Sequence, residues 1–110
     1  MIDLKPWGEL NTEDAAEAKV CVMGIPFDGA VSCGKGAALA PEKIRALSRY
    51  LPATTETGTI IKSLKVLDLG DVAVDLDWAR YYKEVEETAY EMMRMGKFPL
   101  FLGGDHSVTI

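Results

Sequence analysis

The sequence predicts an α/β fold built around a parallel β-sheet, and two observations lead to this prediction. Short apolar segments with the character of buried strands alternate with longer segments in which apolar residues recur at the helical spacing of three and four. The predicted strands are Lys19–Ile25, Leu64–Leu69 and Pro99–Leu102, and the predicted helices are Pro41–Leu51 and Asp77–Met95. Strands separated by helices form parallel sheets, because right-handed crossovers return the chain to the same end of the sheet.

Prolines delimit the first predicted strand and the first predicted helix. Pro26 ends the strand that begins at Lys19, because proline cannot donate to a strand ladder. Pro41 suits the first helical turn, where its missing N–H would be unpaired in any case, and Pro52 stops the helix. The helix presents one apolar face, formed by Ile44, Leu47 and Leu51.

Two other segments of the first half give weaker patterns. Asn11 or Thr12 can cap a short helix through Glu13–Ala18. Ala53–Lys62 is rich in threonine and receives no assignment.

The second half of the chain predicts a strand, a long helix and a further strand. Gly70 and Asp71 close the strand that begins at Leu64. Asp75 or Asp77 can cap the helix, and Gly96 occupies a position suited to a left-handed cap at its end. The helix carries one apolar stripe that we expect to be buried, formed by Trp78, Tyr82, Val85, Ala89 and Met92.

Composition narrows the classes of function. The formal net charge is −5, and no basic run interleaves with aromatic residues, so we expect no nucleic-acid partner. No apolar stretch approaches the roughly 20 residues that span a bilayer, and residues 1–10 lack the apolar core of a signal peptide. We therefore expect a cytoplasmic protein without a membrane partner, in which Cys21 and Cys33 are reduced thiols.

Polar residues collect where the predicted strands end. The segments concerned are Pro26–Asp28, Gly70–Asp71 and Gly103–His106, and the last contains the only histidine of the chain. Ligands of parallel sheets bind beyond the carboxyl ends of the strands. An imidazole placed after two glycines can meet a metal or substrate in that cleft. The alternative, from the residues alone, is a turn capped by Asp105 with His106 merely polar and near the surface.

Three segments resemble the ureohydrolases, the family of the agmatinases and arginases, and they occur in the family's order. Phe98-Pro-Leu-Phe-Leu-Gly-Gly-Asp-His-Ser-Val-Thr109 resembles the family's first metal-ligand segment. Gly24–Asp28 followed by Ala40–Arg45 resembles its first strand and following helix, and Val66–Val72 resembles its second strand. The resemblance covers the chain from about Lys19 onward.

The resemblance implies a three-layer α/β/α fold with a parallel sheet and a pair of manganese ions. It assigns His106 as a ligand of one Mn²⁺, and it assigns no catalytic or cofactor-binding residue within residues 1–110. The family's Asp-x-His-x-Asp and later Asp-x-Asp segments are absent, and Asp75-Leu-Asp77 is read as a helix cap. Residues 1–110 are thus expected to be the N-terminal part of a single domain, truncated after its third main strand.

The activity implied by the resemblance is hydrolysis of a small cationic guanidino compound to urea and an amine, by a homo-oligomer. Two Mn²⁺ ions bridge and activate a water, and one histidine cannot do this, so residues 1–110 alone are expected to be inactive. The stretch from Ser32 to Pro41 lacks the two arginines and the aromatic residue that many agmatinases carry there. The substrate therefore stays open between agmatine, arginine, guanidinobutyrate and formimidoylglutamate, with agmatine or a similar compound favoured.

Two alternatives belong to other classes of function. Gly29–Lys35 has the spacing of a nucleotide-binding P-loop, but Gly36 replaces the hydroxyl residue that would hold Mg²⁺, and Pro41 falls in the following helix. The other alternative is a ureohydrolase-like protein without catalysis, kept as a scaffold or regulator.

Overall fold

A computed structural model describes residues 5–29, 36–73 and 77–109 of the chain. These residues contain a three-stranded sheet in the order β2-β1-β3, formed by Val20–Ile25 (β1), Val66–Asp71 (β2) and Phe98–Gly103 (β3). Both neighbours run parallel to β1, with Val20 opposite Val66 on one side and opposite Phe98 on the other. The predicted parallel α/β fold is confirmed.

Two α-helices join the strands, at Ala40–Ser48 (α1) and Trp78–Arg94 (α2). Pro41 lies in the first turn of α1 as predicted, whereas α1 ends at Ser48, before the predicted end at Leu51. Asp77 caps α2 by accepting from the backbone N–H groups of Ala79 at 3.1 Å and Arg80 at 3.4 Å. Within the described ranges, short 3-10 helices lie at Gly8–Leu10, Ala37–Leu39 and His106–Thr109.

The larger hydrophobic cluster lies where α2 packs on the sheet. It contains Cys21, Met23, Ile25, Phe27, Val72, Tyr81 and Met92. The predicted stripe of α2 is right at Met92 and wrong at Trp78, which is 45% exposed, while Tyr81 is only 2% exposed. Tyr81 and Met92 are about three helical turns apart and so lie on one line along the helix. That line faces the sheet, and Tyr82 and Val85 lie beside it, partly buried.

The opposite face of the sheet is covered by α1 and by the segment before β1. Val22, Val66 and Leu102 are buried there, with Trp7, Leu10 and Val20 packed against them. The predicted apolar face of α1 is wrong as a buried face, because Ile44, Leu47 and Leu51 are all exposed. Pro41 and Ser48 are buried instead, with Arg45 on the same side of the helix. Ionic contacts of Arg45 with β2 set this rotation of α1.

The remaining predictions for the first half have mixed outcomes. Glu13–Ala18 is a series of turns and not a helix, because the Thr12 hydroxyl accepts from the Asp14 N–H at 3.1 Å and donates to Glu17 at 2.8 Å. Thr54 and Ile60 form an isolated antiparallel bridge in the unassigned segment. Cys21 is a buried free thiol as predicted, while Cys33 and most of the P-loop-like stretch lie outside the described residues.

Among the helices described, none has the length and apolar character needed to cross a membrane.

Candidate functional site

The carboxyl ends of the three strands meet at one edge, as the parallel arrangement requires. The Asp105 N–H donates to the Phe27 carbonyl at 2.8 Å and so ties the end of β3 to the chain that follows β1. The Val72 N–H donates to the Gly24 carbonyl, also at 2.8 Å, and ties the end of β2 to β1. The three polar segments singled out in the sequence are thus brought together.

Gly104 allows the chain after β3 to turn against the backbone of β1. Its φ of +88° lies in the left-handed region that L side chains rarely adopt. A Cβ atom at this position would stand 2.5 Å from the Ile25 carbonyl oxygen and 2.9 Å from that of Phe27. The close approach of β3's end to β1 therefore requires glycine here. We name Gly103–Ser107 the His106 turn.

Asp105 organises the His106 turn from inside. Its Oδ1 accepts the backbone N–H of Ser107 at 2.9 Å and also the Ser107 hydroxyl. This is the capping role that the sequence analysis offered for Asp105. His106 opens the 3-10 helix that follows, and its side chain is exposed at the carboxyl edge.

The described residues place one histidine at the carboxyl edge of the sheet but do not form a complete metal-binding site. In residues 5–29, 36–73 and 77–109, no group of three His, Cys, Asp or Glu side chains is placed to hold a metal ion. The assignment of His106 as a metal ligand stays a prediction. Its exposed position and its location at the strand ends suit a ligand that shares a metal with residues from elsewhere in a whole protein.

Asp28, at the end of the segment after β1, holds the chain in front of α1. Its Oδ2 accepts the backbone N–H of Gly36 at 3.0 Å and of Ala38 at 3.4 Å. The sequence analysis placed Asp28 at the edge without a role. Its position directly after a buried strand and ahead of a glycine-rich stretch is the signal that indicates such a loop-holding carboxylate.

A second polar cluster on the β2 side was not found from the sequence. We name Trp7, Arg45, Asp68 and Asp71 the Arg45 cluster. The Arg45 guanidinium donates to both Asp68 oxygens, at 2.7 and 2.9 Å, to the Gly70 carbonyl at 2.9 Å, and to Asp71. The Trp7 indole N–H donates to Asp68 at 2.8 Å. Asp68 stands inside an otherwise apolar strand, and a buried carboxylate needs a partner. This position was the signal from which the cluster could have been predicted.

The electrostatics of the Arg45 cluster favour the charged forms. Burial raises the pKa of Asp68, but the hydrogen bonds from Arg45, Trp7 and the Gly70 N–H lower it by more, so the pKa lies below its ordinary value. Gly24 leaves the space that Asp71 occupies, because a Cβ there would stand 1.9 Å from Asp71 Oδ1. The cluster therefore fastens α1 and the N-terminal segment to β2 and the middle of the sheet.

The match to a protein family completes the description of this edge. The family model described as the arginase family matches residues 18–110, which include all three strands and the His106 turn. The chain belongs to the arginase family. The agmatinase of Pyrococcus horikoshii is 36% identical over 104 residues, which are 92% of this chain and 37% of that relative.

Solved structures of arginase-family proteins share the fold. The agmatine ureohydrolase of Thermoplasma volcanium superposes with a TM-score of 0.80 at 32% identity, covering 99% of this chain and 37% of that one. A formiminoglutamase of Trypanosoma cruzi, whose structure holds Mn²⁺, has a TM-score of 0.78 over 89% of this chain and 34% of that one. Its identity of 20% shows a common fold only. The chain thus spans little more than a third of the length of these relatives.

Proposed function

We propose that the whole protein is a manganese-dependent hydrolase that converts a guanidino compound to urea and an amine. The observation that carries the proposal is the His106 turn, which presents an exposed imidazole at the carboxyl edge of a parallel sheet in an arginase-family chain. The similarity to agmatinases over 92% of the chain supports the same reaction class.

His106 is the residue that we propose as a ligand of one Mn²⁺. Imidazole together with carboxylates suits this ion, and His106 stands at the edge where the strand ends bring acidic residues. The described residues place no group of three possible ligands together, so the proposal requires further ligands from elsewhere in the whole protein. A pair of Mn²⁺ ions held in part by His106 would supply the activated water that hydrolysis of a guanidinium group needs.

The other residues of the edge orient and do not react. Gly104 lets the turn approach β1, and the Asp105 N–H holds it to Phe27 at 2.8 Å. The Asp105 carboxylate fixes Ser107, so that the residue between them starts a helix turn with a defined direction. A ligand held within a rigid backbone in this way costs little reorganisation when a metal binds.

Agmatine or a similar cationic guanidino compound is the substrate class that we propose, with a cytoplasmic homo-oligomer as the working form. The two agmatinase relatives support agmatine. The loop between β1 and α1 lacks the arginines and aromatic residue of many agmatinases, so a related guanidino compound is the first substrate to compare with agmatine. Urea release from each compound ranks them directly.

The proposal is tested by replacing His106 with Ala in the whole protein. Removing a ligand should lower urea release by two orders of magnitude or more, on the order of the effect of losing a key catalytic group. Excess Mn²⁺ should restore activity only in part, and the unfolding midpoint should stay unchanged because the side chain is exposed. Metal content is measured alongside turnover.

Two outcomes would contradict the proposal. Normal metal content and turnover in His106→Ala would make His106 an ordinary turn residue. A whole protein that binds Mn²⁺ but hydrolyses none of the guanidino compounds would favour the scaffold or regulator alternative.

A further inference from the structure

Asp28 provides a helix cap that the residues at the start of α1 do not provide themselves. Gly36 and Leu39 precede the 3-10 turn and α1, and neither makes a side-chain capping bond. Instead, Asp28 Oδ2 accepts the N–H groups of Gly36 at 3.0 Å and Ala38 at 3.4 Å, across eight and ten positions of the chain. A carboxylate that bonds the N–H groups at a helix start also complements the helix dipole. We name Gly36–Leu39 the α1 entry.

The residues on either side of Asp28 anchor it at the end of β1. Phe27 is buried and belongs to the larger hydrophobic cluster. A Cβ atom at Gly29 would stand 2.8 Å from the Phe27 ring, so the chain after Asp28 lies directly on that ring. The Asp28 carboxylate therefore bonds to the α1 entry from a backbone that the core holds in place.

The same segment also holds the His106 turn. The Phe27 carbonyl accepts the Asp105 N–H at 2.8 Å, and Asp28 is the next residue along the chain. Two neighbouring residues thus connect the turn that carries the proposed metal ligand with the α1 entry. The relative placement of these two parts of the edge depends on Asp28.

The α1 entry lies at the carboxyl edge of the sheet and includes an exposed apolar side chain. Pro41, in the first turn of α1, lies against the end of β1, since a Cβ atom at Gly24 would stand 3.1 Å from the Pro41 Cβ. Leu39 is 56% exposed. Ligands of parallel sheets bind beyond this edge, on loops that the sheet positions. An exposed leucine in this place can contact the aliphatic part of a small substrate.

We propose that Asp28 is a positioning residue for substrate binding, which acts through the α1 entry, and that Leu39 contacts the aliphatic chain of the substrate. The inference rests on the proposed function, because both residues would act on the guanidino compound that is hydrolysed next to His106. Asp28 holds the α1 entry through its hydrogen bonds and does not bind the metal or the substrate itself. Its removal should therefore weaken substrate binding and leave the metal site unchanged.

The test is steady-state hydrolysis by the whole protein of agmatine, or of guanidinobutyrate where agmatine is not hydrolysed, with kcat and KM determined separately. Asp28→Ala removes the bonds to the α1 entry, and Asp28→Asn keeps an oxygen that can accept the same N–H groups. Asp77→Ala is the matched control, because Asp77 caps α2 through N–H bonds of closely similar length, 3.1 and 3.4 Å. Leu39→Ala tests the contact with substrate in a variant whose folding is not at risk, since the side chain is exposed.

We expect KM to rise about tenfold in Asp28→Ala and in Leu39→Ala, a loss within the range for misplaced substrate-positioning groups. Asp28→Asn should restore most of the wild-type KM, and Asp77→Ala should keep it. The kcat values should stay unchanged in all four variants. Mn²⁺ affinity, measured from the electron paramagnetic resonance signal of the free ion, should also stay unchanged.

Several outcomes would overturn the inference and leave the proposed function standing. A fall in kcat or in Mn²⁺ affinity in Asp28→Ala would place the action of Asp28 at the metal. An equal rise of KM in Asp77→Ala would show that the loss of any helix cap has this effect, and failure of Asp28→Asn to restore KM would assign the effect to the charge. Unchanged KM in Asp28→Ala or in Leu39→Ala, with activity lost in His106→Ala, would also overturn it. Absence of hydrolysis in the wild type would overturn both proposals.

Discussion

Two polar regions stand on either side of β1 near the carboxyl end of the sheet, the Arg45 cluster beside β2 and the His106 turn beyond β3. In the Arg45 cluster the side chains bond to one another, and Arg45 and Asp68 keep only 14% and 12% of their side-chain surface exposed. In the His106 turn, Asp105 accepts from the N–H and hydroxyl of Ser107, its own N–H donates to the Phe27 carbonyl, and His106 is exposed.

The difference separates a structural use of polar residues from the ligand role that we propose for His106. In the Arg45 cluster, charges that pair with one another fasten α1 and the N-terminal segment to β2. In the His106 turn the backbone is secured, and His106 lies exposed at the surface of the carboxyl edge. Both regions contain an aspartate within three residues of a strand end, so residue type alone does not distinguish them.

The largest effect on folding is expected at Gly104, where the turn meets β1. Gly104→Ala would place a Cβ against two carbonyl oxygens in addition to the strain of φ +88°. We expect the free energy of unfolding to fall by more than about 4 kcal/mol, a loss that few single substitutions cause. Urea unfolding of the purified protein measures it.

Gly58→Ala is the matched control for Gly104→Ala. Gly58 has a similar φ of +87°, but a Cβ there would meet nothing within 4 Å. Only backbone strain of about 1 kcal/mol is then expected. Equal losses in the two variants would show that the close approach of the His106 turn to β1 is not what requires glycine.

The next largest effect is expected from breaking the Arg45 cluster. Arg45→Met keeps much of the side-chain stem but leaves the Asp68 carboxylate, whose side chain is only 12% exposed, without its cation. We expect a loss of about 3 kcal/mol of stability, near the lower end for broken buried pairs. The exposed pair of Arg94 and Glu91, 3.4 Å apart, provides the control, and Arg94→Met should cost no more than about 0.5 kcal/mol.

A similar small loss in both arginine variants would show that the Arg45 cluster contributes no more than a surface pair. Mn²⁺ affinity provides the complementary measurement. Because the cluster and the His106 turn lie on opposite sides of β1, folded Arg45→Met should bind the ion as the wild type does.

The smallest effect on the free energy of unfolding is expected from lowering the pH. The pKa of Asp68 is lower in the folded chain than its ordinary value of 3.8, because the bonds from Arg45, Trp7 and Gly70 outweigh burial. The stabilisation is therefore complete above the unfolded-state pKa and is lost as the pH falls through the folded-state pKa. The urea concentration at the unfolding midpoint should therefore decrease as the pH is lowered from about 6 to about 3, a range that includes the ordinary pKa of aspartate.

Arg45→Met should fall less steeply over the same pH range, because it no longer lowers the pKa of Asp68. Parallel curves for the wild type and the variant would show that other carboxylates cause the acid sensitivity.

Local chemistry in the sequence determined most of the elements and their order. Pro41 and Asp77 mark the starts of α1 and α2 through local effects within one helical turn. Apolar runs form strands because one or both faces of the sheet are buried. The resemblance of the segment around His106 to the ureohydrolases led to the family, and the family model matches the chain from residue 18 onward. These signals lie within short stretches of the sequence, so they can be interpreted without knowing which other elements pack against them.

Only the tertiary structure decided which side of α1 is buried and how α2 is rotated on the sheet. Periodicity relates the residues of one helix to one another, but the rotation of that helix on the sheet depends on what the sheet presents. Asp68 on β2 draws Arg45 inward across 23 positions of the chain and leaves Leu47 67% exposed. On the other face, Phe27 packs against the rings of both Tyr81 and Trp78, and Tyr81 is buried while Trp78 stays 45% exposed. Pairings between residues distant in the chain arise only when the strands are assembled, which is why the sequence did not reveal them.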